Sequence, residues 1–291
     1  MFKLAVFTDE VSQDFQRAVE VAREFDLDGL EIRSVWNKKP QDLDEEDMVK
    51  MKEILADTGL AVCSIASPFF KCDIDSEEEY KEHLDILQRC IALGRSFGCR
   101  IIRGFTFWRK GHYKERWQEI IDKFEEPLKI LQAEDAVLGI ENEPSTFLGT
   151  AGGVKRFIDA LASPYVKAIW DPRNSLGEPV DEDKEIPYPD GYEIIKGDMV
   201  HMHVKDSAID PESGKRRTVA VGEGDMDYPR QFRALKEDGY EGYASLETHF
   251  RVKKALSREE VDRPGGAAFS SAAEEASRIC LKNIKKMLKE I

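Results

Sequence analysis

No stretch of this chain approaches the roughly 18 consecutive apolar residues that a bilayer-spanning helix needs. No C-x-x-C pair occurs among its five cysteines, Cys63, Cys72, Cys90, Cys99 and Cys280. An odd number in a chain of 291 residues does not make a disulfide framework, so reduced thiols are expected. Positive charge is also in deficit, with 43 Lys and Arg against 57 Asp and Glu and a formal net charge of −14. That balance opposes the phosphate-driven contacts on which nucleic-acid binding depends. The opening MFKLAVFTDEV carries an apolar stretch too short for a signal-peptide core. A cytoplasmic protein is therefore expected, with neither a membrane nor a nucleic acid as partner. Internal repeats, low-complexity segments and an obvious interdomain linker are missing as well.

What is present is an alternation. Short apolar, β-branched runs begin at Lys3 (KLAVFT), Gly29 (GLEIRS), Leu60 (LAVCSIAS), Arg100 (RIIRGF), Val137 (VLGIEN), Val166 (VKAIWD), Met199 (MVHMHVK) and Gly242 (GYASLET). Between them lie amphipathic stretches such as SQDFQRAVEVAREF, EEDMVKMKEILADTG and ERWQEIIDKFEEPLKILQAE, most with Ser, Asp or Asn as N-caps. Gly59 and Gly98 are placed to end two of them. Eight strands joined by helical crossovers predict an α/β fold, a single (β/α)₈ TIM barrel over residues 1–291. The sixth crossover is expected to hold only a short helix at YEIIKG, because Pro187 and Pro189 interrupt it. Long loops at about 206–227 and 250–267 follow the seventh and eighth strands, on the face where such barrels carry lids and specificity loops.

The carboxyl ends of barrel strands converge over one mouth, so their polar residues form one set. Four consecutive strands end in metal-ligand types: Glu141, Asp171, His203 and Glu247, separated by 30, 32 and 44 residues. Each interval is close to one strand-and-helix unit, the last stretched by the long seventh loop. Three carboxylates and one imidazole suit one divalent cation, Mn²⁺ best, with Mg²⁺, Co²⁺ or Zn²⁺ as alternatives. His201 shares a face with His203 but lies one layer deeper, which suits a hydrogen-bonded supporting histidine. By the same parity Glu143 accompanies Glu141, and His249 accompanies Glu247. Glu31, Arg33, Arg103, Arg173, Asn174 and Lys205 also sit at strand ends and are candidate substrate contacts, Lys205 with Asp206 foremost.

The segments GIENEPS, IWDPRNS, HMHVKD, VGEGDMDYP and SLETHF, with the opening TDEVSQDFQRAVEVAREFDLDGLEIR, resemble the xylose-isomerase-like TIM-barrel group of sugar-phosphate isomerases and epimerases. The resemblance spans the first strand to the eighth. It implies one divalent metal held by Glu141, Asp171, His203 and Glu247, with the two glutamates facing each other across the substrate. At one point the chain departs from the ketose 3-epimerases of that group, which carry a histidine three residues after the aspartate ligand; here that position is Asn174.

A carbon-bound proton beside a carbonyl is weakly acidic, so its removal needs a positioned base and a cation for the developing enediolate. The expected activity is thus metal-dependent isomerisation or epimerisation of a small sugar or sugar derivative, with Glu141 and Glu247 as acid and base. The alternative is a dehydratase or lyase acting on an inosose or keto-glycoside. An apurinic-site endonuclease would want a basic surface and more histidines than the five present, of which His83 and His112 fall in the third and fourth helical regions. A catalytically silent sugar-binding barrel is the non-enzyme reading, and self-association into a homo-oligomer stays open.

Overall fold

The computed structural model describes residues 2–253 and 255–291. Along the chain β1 (Lys3–Phe7) leads to α1 (Phe15–Glu24), β2 (Gly29–Ile32) to α2 (Glu45–Leu55), and β3 (Ala61–Phe69) to α3 (Glu77–Ser96). Next, β4 (Ile101–Gly104) precedes α4 (Trp117–Asp122) and α5 (Glu125–Glu134), and β5 (Val137–Glu141) precedes α6 (Ala151–Leu161). Then β6 (Val166–Trp170) leads to α7 (Pro172–Ser175) and α8 (Tyr192–Ile195). After β7 (Met199–Val204) come β8 (Asp206–Ile209), β9 (Arg216–Val219) and α9 (Tyr228–Glu237). Last, β10 (Tyr243–Leu246) is followed by α10 (Arg258–Asp262), α11 (Gly266–Ser270) and α12 (Ala273–Lys289). The eight strands read from the sequence close into a barrel in the order β1-β10-β7-β6-β5-β4-β3-β2.

The chain comprises two compact units, residues 1–63 with 203–291 and residues 64–202. In the first, β1 pairs in parallel with β10, Lys3 opposite Tyr243 through Val6 opposite Leu246, and with β2, Ala5 opposite Gly29 through Phe7 opposite Glu31. The Asp14 side chain caps α1, whose buried Phe15, Ala18, Val19, Val21 and Ala22 follow the helical period. In α12 the same period buries Ala273, Ala276, Cys280, Leu281 and Ile284. The stretch expected as a long loop at 206–227 contains an antiparallel hairpin, β8 with β9, Asp206 opposite Val219 through Ile209 opposite Arg216. Its turn signal was in the sequence: the Asp210 carboxylate accepts from Ser213 N at 2.8 Å and Gly214 takes φ +68°.

In the second unit β4, β5 and β6 pair in parallel, Gly104 opposite Ile140 and Glu141 opposite Ile169. ERWQEIIDKFEEPLKILQAE reads as one helix, yet it breaks between α4 and α5. Pro127 has no N–H to give the carbonyl of Lys123 four residues back, and that carbonyl accepts from the Tyr80 hydroxyl instead, at 3.0 Å. The kink lets Phe124 pack edge-on against Phe70 and Phe157, at 5.1 and 4.7 Å. Gly98, φ +69°, ends α3, and the short α8 follows Pro187 and Pro189 as expected. All five cysteines are buried and outside any disulfide, and no helix among the described residues is long and apolar enough to cross a membrane.

Candidate metal centre

Strand ends place the polar residues, and burial decides how they must be satisfied. In residues 64–202, Glu141 is the last residue of β5 and is buried. Its two oxygens have separate donors: Arg103 Nη1 at 3.2 Å and Asn174 Nδ2 at 3.0 Å. The other nitrogens of Arg103 reach the carbonyls of Ser67 and Ala66, both at 3.3 Å. Asp171, fully buried, caps the short α7 and accepts from the backbone of Asn174 at 2.9 Å. Asn142 brackets its main chain, accepting from Asp171 N at 2.9 Å and donating to Asp171 O at 2.8 Å. Asn174 therefore touches two of the four expected ligands. Half-buried Arg173 forms no ion pair among the described residues, and Glu143 pairs with Lys71 at 3.4 Å.

In residues 1–63 and 203–291, His203 is fully buried in β7, with Nε2 3.3 Å from Glu31 and Nδ1 3.9 Å from Glu247. Glu247, one residue past β10, is held from three sides. Arg33 Nη1 donates to Oε1 at 2.6 Å, Lys205 Nζ to Oε2 at 2.7 Å, and His249 Nε2 lies 3.3 Å from Oε1. Burial acts to raise this carboxyl, but the charges of Lys205, His249 and Arg33 outweigh it and hold Glu247 well below the usual carboxylate range. Arg33, expected as a substrate contact, is committed to the protein's own groups. Its Nε meets Asp9 at 3.0 Å and its Nη2 meets Glu10 at 3.0 Å. Asp206 is committed too, accepting backbone N–H bonds from Ser207, Gly222, Gly224 and Met226 at 2.8 to 3.2 Å.

In residues 64–202, Glu141 and Asp171 are buried carboxylates at and just past the ends of the neighbouring strands β5 and β6. In residues 1–63 and 203–291, His203 and Glu247 are buried at the ends of β7 and β10, 3.9 Å apart. Carboxylate oxygens and an imidazole nitrogen are hard donors of the kind that suit a divalent ion. A further group, His112 with Glu182 and Asp183, fits one poorly. His112 Nδ1 accepts the backbone N–H of Lys114 at 3.1 Å, so Nε2 carries the proton and donates to Asp183 at 2.7 Å.

Asp9, Glu10 and Arg251 escaped the sequence reading. Asp9 and Glu10 lie just past β1, where TDE reads as a turn, and nothing local marks their carboxylates as buried.

Comparisons with known proteins identify the family and the fold. The family described as xylose isomerase-like TIM barrel matches residues 19–269. The L-ribulose-5-phosphate 3-epimerase UlaE of Escherichia coli is 23% identical over 206 residues, 69% of either chain. Among solved structures, the 3-keto-D-glucoside 4-epimerase YcjR from E. coli superposes with TM-score 0.70 at 14% identity, covering 99% of this chain and all of that one. The IOLI protein with a bound zinc atom does so with TM-score 0.72 at 17% identity, over 99% of each.

Proposed function

The chain belongs to the xylose isomerase-like TIM barrel family, and we propose that it is a divalent-metal-dependent epimerase or isomerase of a small sugar or sugar derivative. Glu141, Asp171, His203 and Glu247 hold the ion, and Glu141 and Glu247 move the proton. The observation that carries this reading is that four metal-ligand types, Glu141, Asp171, His203 and Glu247, are each buried at or just past the end of a barrel strand. The relatives add weight, since UlaE is a sugar-phosphate epimerase and YcjR a keto-glucoside epimerase.

Glu247, kept ionised by Lys205, His249 and Arg33, starts as the base. It takes the proton from the carbon beside the substrate carbonyl, and the C–H electron pair moves into an enediolate with negative charge on the carbonyl oxygen. When bound, a divalent cation stabilises that negative charge. Glu141, entering as the protonated acid and turned by Arg103 and Asn174, gives its own proton to the opposite face, which inverts the carbon and leaves Glu141 as the carboxylate. Return to the neighbouring carbon instead gives the aldose–ketose isomer. Arg173, which forms no ion pair among the described residues, and Lys205 are the cations we assign to the substrate's oxygens. Manganese is the ion to load first. Zinc, the ion in IOLI, also suits the donors.

The test is incorporation of deuterium from D₂O into a panel of ketoses, L-ribulose 5-phosphate, inososes and 3-keto-glucosides by the Mn²⁺-loaded protein. Glu247→Gln is expected to slow exchange by at least ~10²-fold while still binding Mn²⁺. Full turnover in that variant would remove Glu247 from the proton path.

A further inference from the structure

We infer that Arg33 is a positioning residue for Glu247, and that docking of the segment after β10, through Phe269, Arg251 and Glu10, locks it in place. This rests on Glu247 being the proton-transfer group proposed above. Arg33 has nothing left to offer a substrate. Its three nitrogens go to Asp9, Glu10 and Glu247 at 3.0, 3.0 and 2.6 Å, and it is 3% exposed. Phe7 and Phe269 pack on its guanidinium, with centroids 4.5 and 4.7 Å away. Glu247 is thus aimed by a group that is itself fixed on every side.

Phe269 comes from far along the chain, in α11. It packs against a second guanidinium, that of Arg251, at 4.8 Å, and its carbonyl accepts from Arg251 Nη2 at 2.7 Å. Arg251 Nη1 donates to Glu10 Oε2 at 3.0 Å, and the other oxygen of Glu10 holds Arg33. One continuous buried path therefore runs Phe269, Arg251, Glu10, Arg33, Glu247. The contacts that seat α11 fall on the same two strand ends. Ser270 Oγ donates to Asp9 O at 2.8 Å, and Gly266 N donates to Ser34 Oγ at 3.2 Å. By contrast α10, between Arg251 and α11, has no buried residue. Lifting α11 would cost few apolar contacts but would uncover Arg33, whose burial between rings is what makes its geometry rigid. The long loop after the last barrel strand then acts on the catalytic glutamate through its anchor, and Glu247 is correctly aimed only in the docked state.

The experiment compares wild type, Phe269→Ala and the milder Ser270→Ala, each checked for its melting transition. In amide hydrogen exchange, Phe269→Ala should raise exchange in residues 255–270 at least ~10-fold and leave β5 and β6 unchanged. Mn²⁺ titration should give a Kd about 10-fold weaker, because the substitution removes no charge yet frees a ligand. With any substrate found by deuterium exchange, kcat should fall about 10-fold with KM within about twofold, and Phe269→Leu should recover part of the loss. Unchanged exchange in 255–270 together with unchanged Mn²⁺ affinity would overturn the proposal. These two readouts need no substrate, so failure to find one would strike the functional reading and leave this inference standing on its own measurements.

Discussion

Asp9 sets the pH response of the buried charge network. Burial, helped by the nearby charges of Glu10 and Glu247, outweighs the pull of Arg33 and pushes its carboxyl from 3.8 up to about 6. A raised folded-state value means the native protein holds a proton that the unfolded chain has released. Its contribution is full below about pH 4 and is lost as pH rises through about 6, on the order of 3 kcal/mol in total. Glu10 and Glu247 act with the opposite sign. Burial raises both, but Arg251 and its neighbours around Glu10, and Lys205 and its neighbours around Glu247, hold them low. Their contribution is therefore present above about pH 4.5 and falls away in acid. Asp9→Asn should flatten the decline in urea midpoint of the metal-free protein between about pH 4 and pH 6.5. An unaltered slope would mean that Asp9 is ionised throughout.

At the scale of elements, the turn after β9 depends on one carboxylate and one missing side chain. Asp206 gathers the N–H groups of Gly222, Gly224 and Met226, folding VGEGDM back against the end of β7 where Lys205 sits. The Tyr228 hydroxyl ties Lys205 from the other side, donating to its carbonyl at 2.7 Å and accepting its N–H at 3.0 Å. A Cβ on Gly224 would lie 2.6 Å from the Ser207 carbonyl, a backbone atom that cannot step aside alone. Gly224→Ala is expected to cost about 1 to 3 kcal/mol, read as a lowered denaturation midpoint, and to weaken apparent substrate affinity through Lys205. If stability and KM both hold, the turn is not what orders Lys205.

For the whole molecule, the net charge of −14 and the buried carboxylates at the strand ends both favour a bound cation. A cation bound only by the folded state stabilises it by RT ln(1 + [L]/Kd), about 2.7 kcal/mol at a hundredfold excess over Kd. Mn²⁺ at that level should raise Tm by about 4 °C over an EDTA-treated sample. Asp171→Ala should remove most of the increment, and an equal shift in that variant would place the ion elsewhere.

The sequence determined the barrel, because eight strands alternating with helices leave few ways to bury their apolar faces, and it singled out four candidate ligands, because strand ends of one barrel share one height. Residues that act from strand ends are legible for that reason. What only the tertiary structure decided is which charges are already taken. Arg33 and Lys205 look alike in sequence, two cations just past strands, yet Arg33 is sealed between Phe7 and Phe269 by a segment more than two hundred residues away. Partners that distant leave no local periodicity, and neither the burial of Asp9 and Glu10 nor the break before Pro127 that seats Phe124 could be read without the packing that imposes them.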